Sequence, residues 1–526
     1  MRGKEGIIAG PWISACVLQA ALAFVGTSAE AQESAGGDTV HNYAVIPPGA
    51  SAEEIVRIAA HVAPSRRQIA WQEREFIAFF HFGMNTFTNR EWGTGTESPA
   101  LFNPTDFDAR QWVRVIRDAG MRLAIITAKH HDGFCLWPSK FTDHSVMNSA
   151  WRGGKGDVVG DVAAACREYG LKFGIYLSPW DRHEPCYGDS PRYNEFFRNQ
   201  LRELLTGYGD VAEVWFDGAN GEGPDGKRQV YDWPSCYRLI RELQPNAVIA
   251  IMGPDVRWVG TESGYGRETE WSVVPDMEAN LDSVAASSQQ AALEGAFVPR
   301  NLMGEDLGSR EKLLGARTLL WYPAETDVSI RPGWFYHADQ DARVKSPEEL
   351  VDIYYGSVGR NSVLLLNIPP DTRGRISDAD IRSLTGMKKI LDATFRSNLA
   401  SDARVTATSE RAGHGGAYAV DGDYATSWET GRGVCTAALE CSFPAEKVFD
   451  RAMLQGDIRV GQRVEKFHID AFMAGAWKRV AGGTTIGYKR LLRFPAVTAS
   501  RIRLVIDASR WSPAIAAFGV FKSPPP

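Results

Sequence analysis

Between residues 77 and 252, short apolar runs alternate with amphipathic segments, and almost every run stops at a polar side chain. The runs are 77–83 (IAFFHFG), 123–131 (LAIITAKHH), 172–178 (KFGIYLS), 213–217 (EVWFD) and 247–252 (AVIAIM). Continuous apolar runs of this length mark strands buried on both faces, as in a parallel sheet covered by helices. The segment 109–120 (ARQWVRVIRDAG) places Trp112, Val113 and Ile116 at helical spacing and stops at a glycine. Segments 158–170, 191–207 and 231–243 are read as helices too. With a strand at 319–322 (LLWY), a helix at 347–358 and a strand at 362–368 (SVLLLNI), there are seven or eight β/α units in about 300 residues. This predicts an α/β fold, a (β/α)8 TIM-like barrel, with a doubly wound open sheet as the alternative. The barrel is preferred because His81, His130, His131, Ser178 and Asp217 follow the strands, and a closed barrel gathers such ends on one face.

Around residue 395 the pattern changes. Segments 398–409, 467–472 and 501–506 alternate in short strand-like stretches with turns between, which predicts a small all-β sandwich. At the other end, Arg2 and Lys4 precede an apolar run over 7–26, and Ala29-Glu30-Ala31 fits a small-x-small cleavage site. The expected organisation is a signal peptide at 1–31, a leader at 32–64, a barrel at 65–375, a helical linker at 376–395 and a sandwich at 396–526. Export to the periplasm or the extracellular space follows, and a retained anchor is the competing reading. Pro11 and Gln19 interrupt the run, and no later stretch reaches the roughly 20 apolar residues that span a bilayer, so no membrane insertion is expected. An exported chain admits disulfides, and Cys435 and Cys441 are the one pair close enough in sequence to close a small loop. A net charge of −6 without a basic run argues against a nucleic-acid partner. Sixteen tryptophans suit sugar-binding platforms, and equally suit core packing.

In a barrel, His81, Glu91, Trp92, His130, His131, Asp132, Tyr176, Trp215 and Asp217 surround one pocket. The paired histidines admit metal ligation, a structural role, or hydrogen bonding to substrate hydroxyls through both ring nitrogens. Carboxylates and tryptophans in one cleft suit glycoside hydrolysis, which needs one ionised and one protonated carboxyl group. Asp217 suits the ionised role because a strand holds it. For the acid, Glu262 lies in a glycine-flanked loop, and Glu91, Glu268, Glu270 and Glu325 compete with it.

Five ordered motifs, HFG at 81–83, EWG at 91–93, KHHDGF at 129–134, GIYLSPWD at 174–181 and WFDGANG at 215–221, together resemble the family-29 glycoside hydrolases, the retaining α-L-fucosidases. The resemblance covers roughly residues 65–375. The stretches 256–262 (VRWVGTE) and 321–337 (WYPAETDVSIRPGWFYH) resemble the subgroup that prefers α-1,3/1,4-linked fucose on branched acceptors. At the matching positions the family implies Asp217 as nucleophile and Glu262 as acid/base. It implies His81, Glu91, Trp92, His130, His131, Tyr176 and Trp215 as fucose contacts, and Trp321 against the sugar's methyl group or the acceptor. Thr261 departs from the asparagine expected beside Glu262. No metal or other catalytic cofactor is implied, and the partners are fucosylated oligosaccharides or glycoconjugates. A catalytically inactive fucose-binding lectin on the same barrel is the alternative. The tail, from 398–401 (NLAS) to 419–428 (AVDGDYATSW), resembles discoidin-type domains of the factor V/VIII C class. Its 421–426 loop is a candidate for structural calcium, and Trp428 and Trp511 for either core or sugar platform.

Overall fold

The computed structural model describes residues 41–223, 225–276 and 304–524. The expected signal peptide and residues 32–40 of the leader lie outside the described residues. Eight parallel strands form the central sheet: β1 Phe76–Phe80, β2 Leu123–Lys129, β3 Lys172–Leu177, β4 Glu213–Phe216, β5 Val248–Ile251, β6 Arg257–Trp258, β7 Ala324–Ser329 and β8 Ser362–Asn367. Their order is β5-β4-β3-β2-β1-β8-β7-β6. The two ends of that order, β5 and β6, are consecutive in the chain, so the sheet curls round into a TIM-like barrel. Alternate side chains explain the continuous apolar runs. Ile77, Phe79, Leu123, Ile125, Tyr176, Trp215, Val248, Val363 and Leu365 share one buried cluster inside the barrel. Phe76, Ala78, Phe80, Ala124, Ile126, Ile175, Val214 and Leu364 point the other way, into the layer beneath the helices.

The helices begin where short polar side chains cap them. Asp108 accepts from the Gln111 N–H ahead of Ala109–Asp118, and Asp157 does the same for Gly160 ahead of Val158–Tyr169. The second helix ends at Gly170 in the left-handed region, φ 74°. Helix Asp378–Phe395, placed by the sequence between the domains, packs Leu384 and Met387 into the barrel's outer layer. No helix among the described residues is long and apolar enough to cross a membrane.

One strand assignment is corrected. The apolar run 319–322 is not in the barrel: Thr318–Trp321 pairs antiparallel with Tyr43–Val45 and Val273–Asp276 in a separate small sheet. The barrel strand is the polar stretch Ala324–Ser329 that follows, joined by the two-residue β6 from a stretch that reads as loop.

The C-terminal part is an antiparallel sheet of seven strands around its own apolar cluster. Its two longest strands, Ala437–Gly456 and Arg490–Ser509, carry register shifts that let them bend around that core. Trp428 is fully buried there and donates to Ser409 O, so it is core rather than platform. Trp511 packs against His61, with ring centroids 5.6 Å apart. Cys435 and Cys441 are both free. Cys441 lies in the strand Ala437–Gly456, and Cys435 precedes it. The 421–426 loop closes on itself: Asp421 accepts from Asp423 N–H and the Thr426 hydroxyl, and Asp423 from Ala425 N–H.

Candidate active site

The carboxyl ends of β1 to β4, β7 and β8 converge with three loops on one cleft. Asp217 follows β4 directly. Its Oδ2 accepts from the Tyr176 hydroxyl at 3.0 Å and its Oδ1 from the Ala219 N–H at 2.8 Å. His131 Nε2 lies 3.8 Å from Oδ2. Beneath this, Trp215 stacks on Tyr176 (5.3 Å, 23°) and donates to Glu325 at 2.6 Å. Trp215 therefore forms the floor under Tyr176 and Asp217.

Two of the three histidines, His81 and His131, are fixed as acceptors, whereas the Asn85 amide donates to His130 Nδ1 at 3.4 Å and leaves the proton on His130 Nε2. Asn367, at the end of β8, donates to Trp334 O at 2.7 Å and to Ser329 Oγ at 2.9 Å, which orients its amide. Its Oδ1 accepts from His81 N–H and lies 2.9 Å from His81 Nδ1. Nδ1 must carry the proton, and Nε2 is left with a free lone pair. Burial pushes the His81 pKa down to about 3, so the ring is uncharged at neutral pH. Ser178 donates to Trp180 O and takes His131 Nδ1 at 2.7 Å, so His131 Nε2 is likewise an acceptor. Burial also holds His130 and His131 below the ordinary histidine range. Neutral imidazoles with bare nitrogens suit hydroxyl donors. Among the described residues, no group of three or more His, Cys, Asp or Glu is arranged to hold a metal ion.

Glu91 and Trp92 come from the loop after β1. Glu91 Oε2 accepts from the Trp334 N–H at 2.8 Å, and Oε1 lies 2.6 Å from His337 Nε2, so Glu91 ties its loop to 333–337. A Cβ on Gly333 would sit 2.1 Å from Glu91 Oε1, which is why glycine stands there. Trp92 is half exposed and meets His131 and Trp180 edge-on at 5.4 and 5.5 Å.

Glu262 stands at the rim, where its Oε2 accepts from Trp334 Nε1 at 3.2 Å. Its side chain is exposed at the mouth, yet surrounding protein strips enough hydration to raise its pKa. The charges of Asp217 and Glu91 push the same way, and the Trp334 hydrogen bond opposes them. The competing glutamates are placed elsewhere. Glu268 pairs with Arg360 and Arg490, Glu270 with Arg257 and Arg267, and Glu325 is buried under Trp215.

Trp321 is not brought to the cleft. It is buried on the small antiparallel sheet, donating to Gln72 Oε1 at 2.8 Å among Ile55, Val273 and Leu319. The displacement of that strand from the barrel is the reason. The tryptophan that does face the cleft is Trp334, 5.0 Å from His81 and bonded to Glu262. Trp334, Asn367 and Asp327 were all passed over in the sequence. Asp327, on β7, accepts from Trp258 Nε1 at 2.8 Å, and burial, with the neighbouring Glu262 second, pushes its carboxyl well above the ordinary carboxylate range. The pattern GWFYH at 333–337 carried a signal for Trp334; Asp327 had none, because its strand reads as polar loop.

The alpha-L-fucosidase family model matches residues 68–394, and the F5/8 type C domain model matches 404–518. Alpha-L-fucosidase 1 of Arabidopsis thaliana is 43% identical over 466 residues, covering 87% of this chain and 87% of the relative. A solved Ruminococcus gnavus GH29 fucosidase in complex with fucose is 32% identical with TM-score 0.76, covering 88% of this chain and 95% of that one. A glycoside hydrolase 29 family member from an unknown rumen bacterium is 42% identical with TM-score 0.73, covering 88% and 78%. The chain therefore belongs to the alpha-L-fucosidase family of glycoside hydrolases and carries an F5/8 type C domain behind its barrel.

Proposed function

We propose that the chain is an exo-acting, retaining α-L-fucosidase that removes terminal α-1,3/1,4-linked fucose from branched glycans. The observation that carries this is the asymmetry of two carboxyl groups facing one cleft. Asp217 is held by two donors on a strand end, while Glu262 sits on a loop that raises its pKa. An ionised and a protonated carboxyl group are what double displacement needs.

In the first step an Asp217 oxygen attacks the anomeric carbon as Glu262 gives its proton to the glycosidic oxygen. The acceptor leaves as an alcohol and a fucosyl ester remains. In the second step Glu262 takes a proton from water, the water oxygen attacks the same carbon, and the ester bond breaks to return Asp217 as carboxylate. Two inversions give net retention. His81 and His131 accept hydroxyls of the fucose ring, and His130 Nε2–H donates to one. Trp334, Phe335 and Trp92 supply apolar walls, with Tyr176 and Trp215 beneath.

The test compares Lewis-type trisaccharides, 2′-fucosyllactose and an aryl α-L-fucoside, with the product anomer followed by NMR. Preference for the branched sugars with α-fucose formed first is expected. A β product formed first overturns the double displacement, and preference for 2′-fucosyllactose overturns the linkage. The basic start, apolar run and Ala29-Glu30-Ala31 support export with cleavage after residue 31. Amino-terminal sequencing of the mature protein that begins at Met1 overturns that.

A further inference from the structure

The loop that carries Glu262 is not held by the barrel alone. It leaves β6 at Trp258 and crosses helix Pro347–Gly356, where Gly266 N–H donates to Gly356 O at 2.8 Å. Gly264, at φ +82°, fits against Ile353 and Val328; a Cβ there would meet both at 3.0 Å. The next residues, 268–272, are gripped from the C-terminal domain. Arg490 Nη1 donates to Glu268 O at 2.6 Å, and its Nη2 pairs with the Glu268 carboxylate. Thr485 Oγ1 donates to Glu270 O at 3.1 Å, as does Gln462 Nε2 at 2.9 Å. Gln462 Oε1 accepts from the Ser272 N–H at 2.7 Å. Arg490, Thr485 and Gln462 are all buried; the Thr485 and Gln462 bonds are shielded from water, while the Glu268 carboxylate that Arg490 holds stands at the surface. The domain's 487–491 turn is locked to the barrel as well. Tyr488 N–H donates to Asn361 Oδ1, Asn361 N–H to Lys489 O, and Leu491 N–H to Gly359 O. A Cβ on Gly487 would lie 2.1 Å from the Asn361 side chain, so the approach is as close as backbone allows.

We propose that the C-terminal domain is a positioning part of the catalytic apparatus. Through Arg490, Thr485 and Gln462 it fixes residues 268–272 and thereby sets where Glu262 stands over the cleft. The barrel supplies the nucleophile on a rigid strand; the second domain holds the stem of the acid/base loop. The claim rests on Glu262 as the acid/base and adds Arg490, Thr485 and Gln462 as positioning residues.

The test uses leaving groups, in the full chain. A 2-chloro-4-nitrophenyl α-L-fucoside departs without protonation, whereas a fucosyl disaccharide needs its oxygen protonated. Arg490→Met should lower kcat/KM for the disaccharide by about tenfold, part of the 10²–10⁴ that general acid catalysis supplies, and leave the aryl fucoside within about twofold. Arg490→Lys should recover part of the loss. Thr485→Val removes one hydroxyl at nearly constant volume and should show a smaller loss with the same selectivity; it carries the test if Arg490→Met does not fold. Equal losses on both substrates, or no loss in either variant, overturn the proposal. Glu262→Ala is run beside them. If it selectively spares the aryl fucoside while the Arg490 and Thr485 variants do not, the clamp fails and the acid assignment stands. If Glu262→Ala itself shows no such selectivity, the acid assignment fails and the clamp falls with it.

Discussion

Asn367→Leu is the substitution that most directly tests how the site recognises a sugar. Asn367 is fully buried and makes four hydrogen bonds, to His81 N–H, His81 Nδ1, Ser329 and Trp334 O. Leucine keeps the volume and removes all four. With Oδ1 gone, His81 Nδ1–H has no acceptor, and the proton is free to move to Nε2, the nitrogen that faces the cleft. A ring that accepted a hydroxyl then offers it a second donor. Losing one hydrogen bond to a buried group costs about 1–3 kcal/mol, which is roughly 5- to 150-fold in kcat/KM. The assay is kcat/KM for an aryl α-L-fucoside and its 2-, 3- and 4-deoxy analogues, in wild type and variant, as a double-mutant cycle. In wild type, the analogue lacking the hydroxyl that meets His81 should be impaired. In Asn367→Leu that analogue should lose little more, while the parent falls towards it. If the variant weakens the parent and every deoxy analogue by the same factor, Asn367 acts only on packing and the tautomer argument is wrong.

Asp217→Gly should drop kcat/KM below about one part in 10⁴, in line with loss of a covalent nucleophile, with the circular-dichroism spectrum unchanged; near-normal turnover would sink the assignment. Glu262 must be protonated to act as acid, so kcat/KM for a disaccharide should fall as pH rises through its raised pKa, and Glu262→Gln should erase that alkaline limb. Asp132 is fully buried, and burial raises its pKa to about 7, so the native state keeps a proton that the unfolded chain loses near 3.8. That contribution is complete below 3.8 and is lost as pH rises towards 7, at up to about 1.4 kcal/mol per unit. Asp132→Asn should thus stabilise the protein at pH 7.5 and change little near pH 3.5, as read by urea unfolding. Gly333→Ala should push Glu91 off the Trp334 N–H and raise KM by about 5- to 30-fold, the equivalent of about 1–2 kcal/mol for a half-exposed charge-assisted bond. An unchanged KM would show that the loop absorbs the methyl group.

The sequence exposed those parts of the fold whose physics is periodic. Strands β1 to β5 and β8 are apolar on both faces because helices cover one side and the barrel interior the other, and that produces an unmistakable run. Strand β7 is missed for the complementary reason. Glu325 and Asp327 point into the barrel, where tryptophan N–H groups donate to them and burial raises their pKa, so a buried strand reads as a polar loop. Its apolar neighbour 318–321 took its place in the predicted barrel; Trp321 entered the predicted site through the resemblance of 321–337 to the fucosidase subgroup. Asp217, His81, His130 and His131 stand at strand ends and were legible as a set. Asn367 also ends a strand, yet its role lies in two hydrogen bonds to Trp334 and His81 that link parts of the chain more than thirty positions apart, and no local pattern records them.

The acidic barrel interior has a physical logic that reaches Asp217. A narrow barrel filled by Trp71 and Trp215 must satisfy two indole N–H groups away from water. Trp71 donates to Glu213 Oε2 at 2.8 Å and Trp215 to Glu325 Oε1 at 2.6 Å. The two glutamates interact directly, which favours the charge on Glu213 and opposes it on Glu325. Burial together with the Glu213 charge holds Glu325 far above the ordinary carboxylate range, so Glu325 keeps the proton of the pair. A glutamine in either place would still accept from tryptophan, but only an acid can share a single proton with its neighbour and leave no amide hydrogen stranded. This pair fixes Trp215, Trp215 supports Tyr176, and the Tyr176 hydroxyl fixes Asp217. The rigidity of Asp217, the proposed nucleophile, is thus set two layers below it.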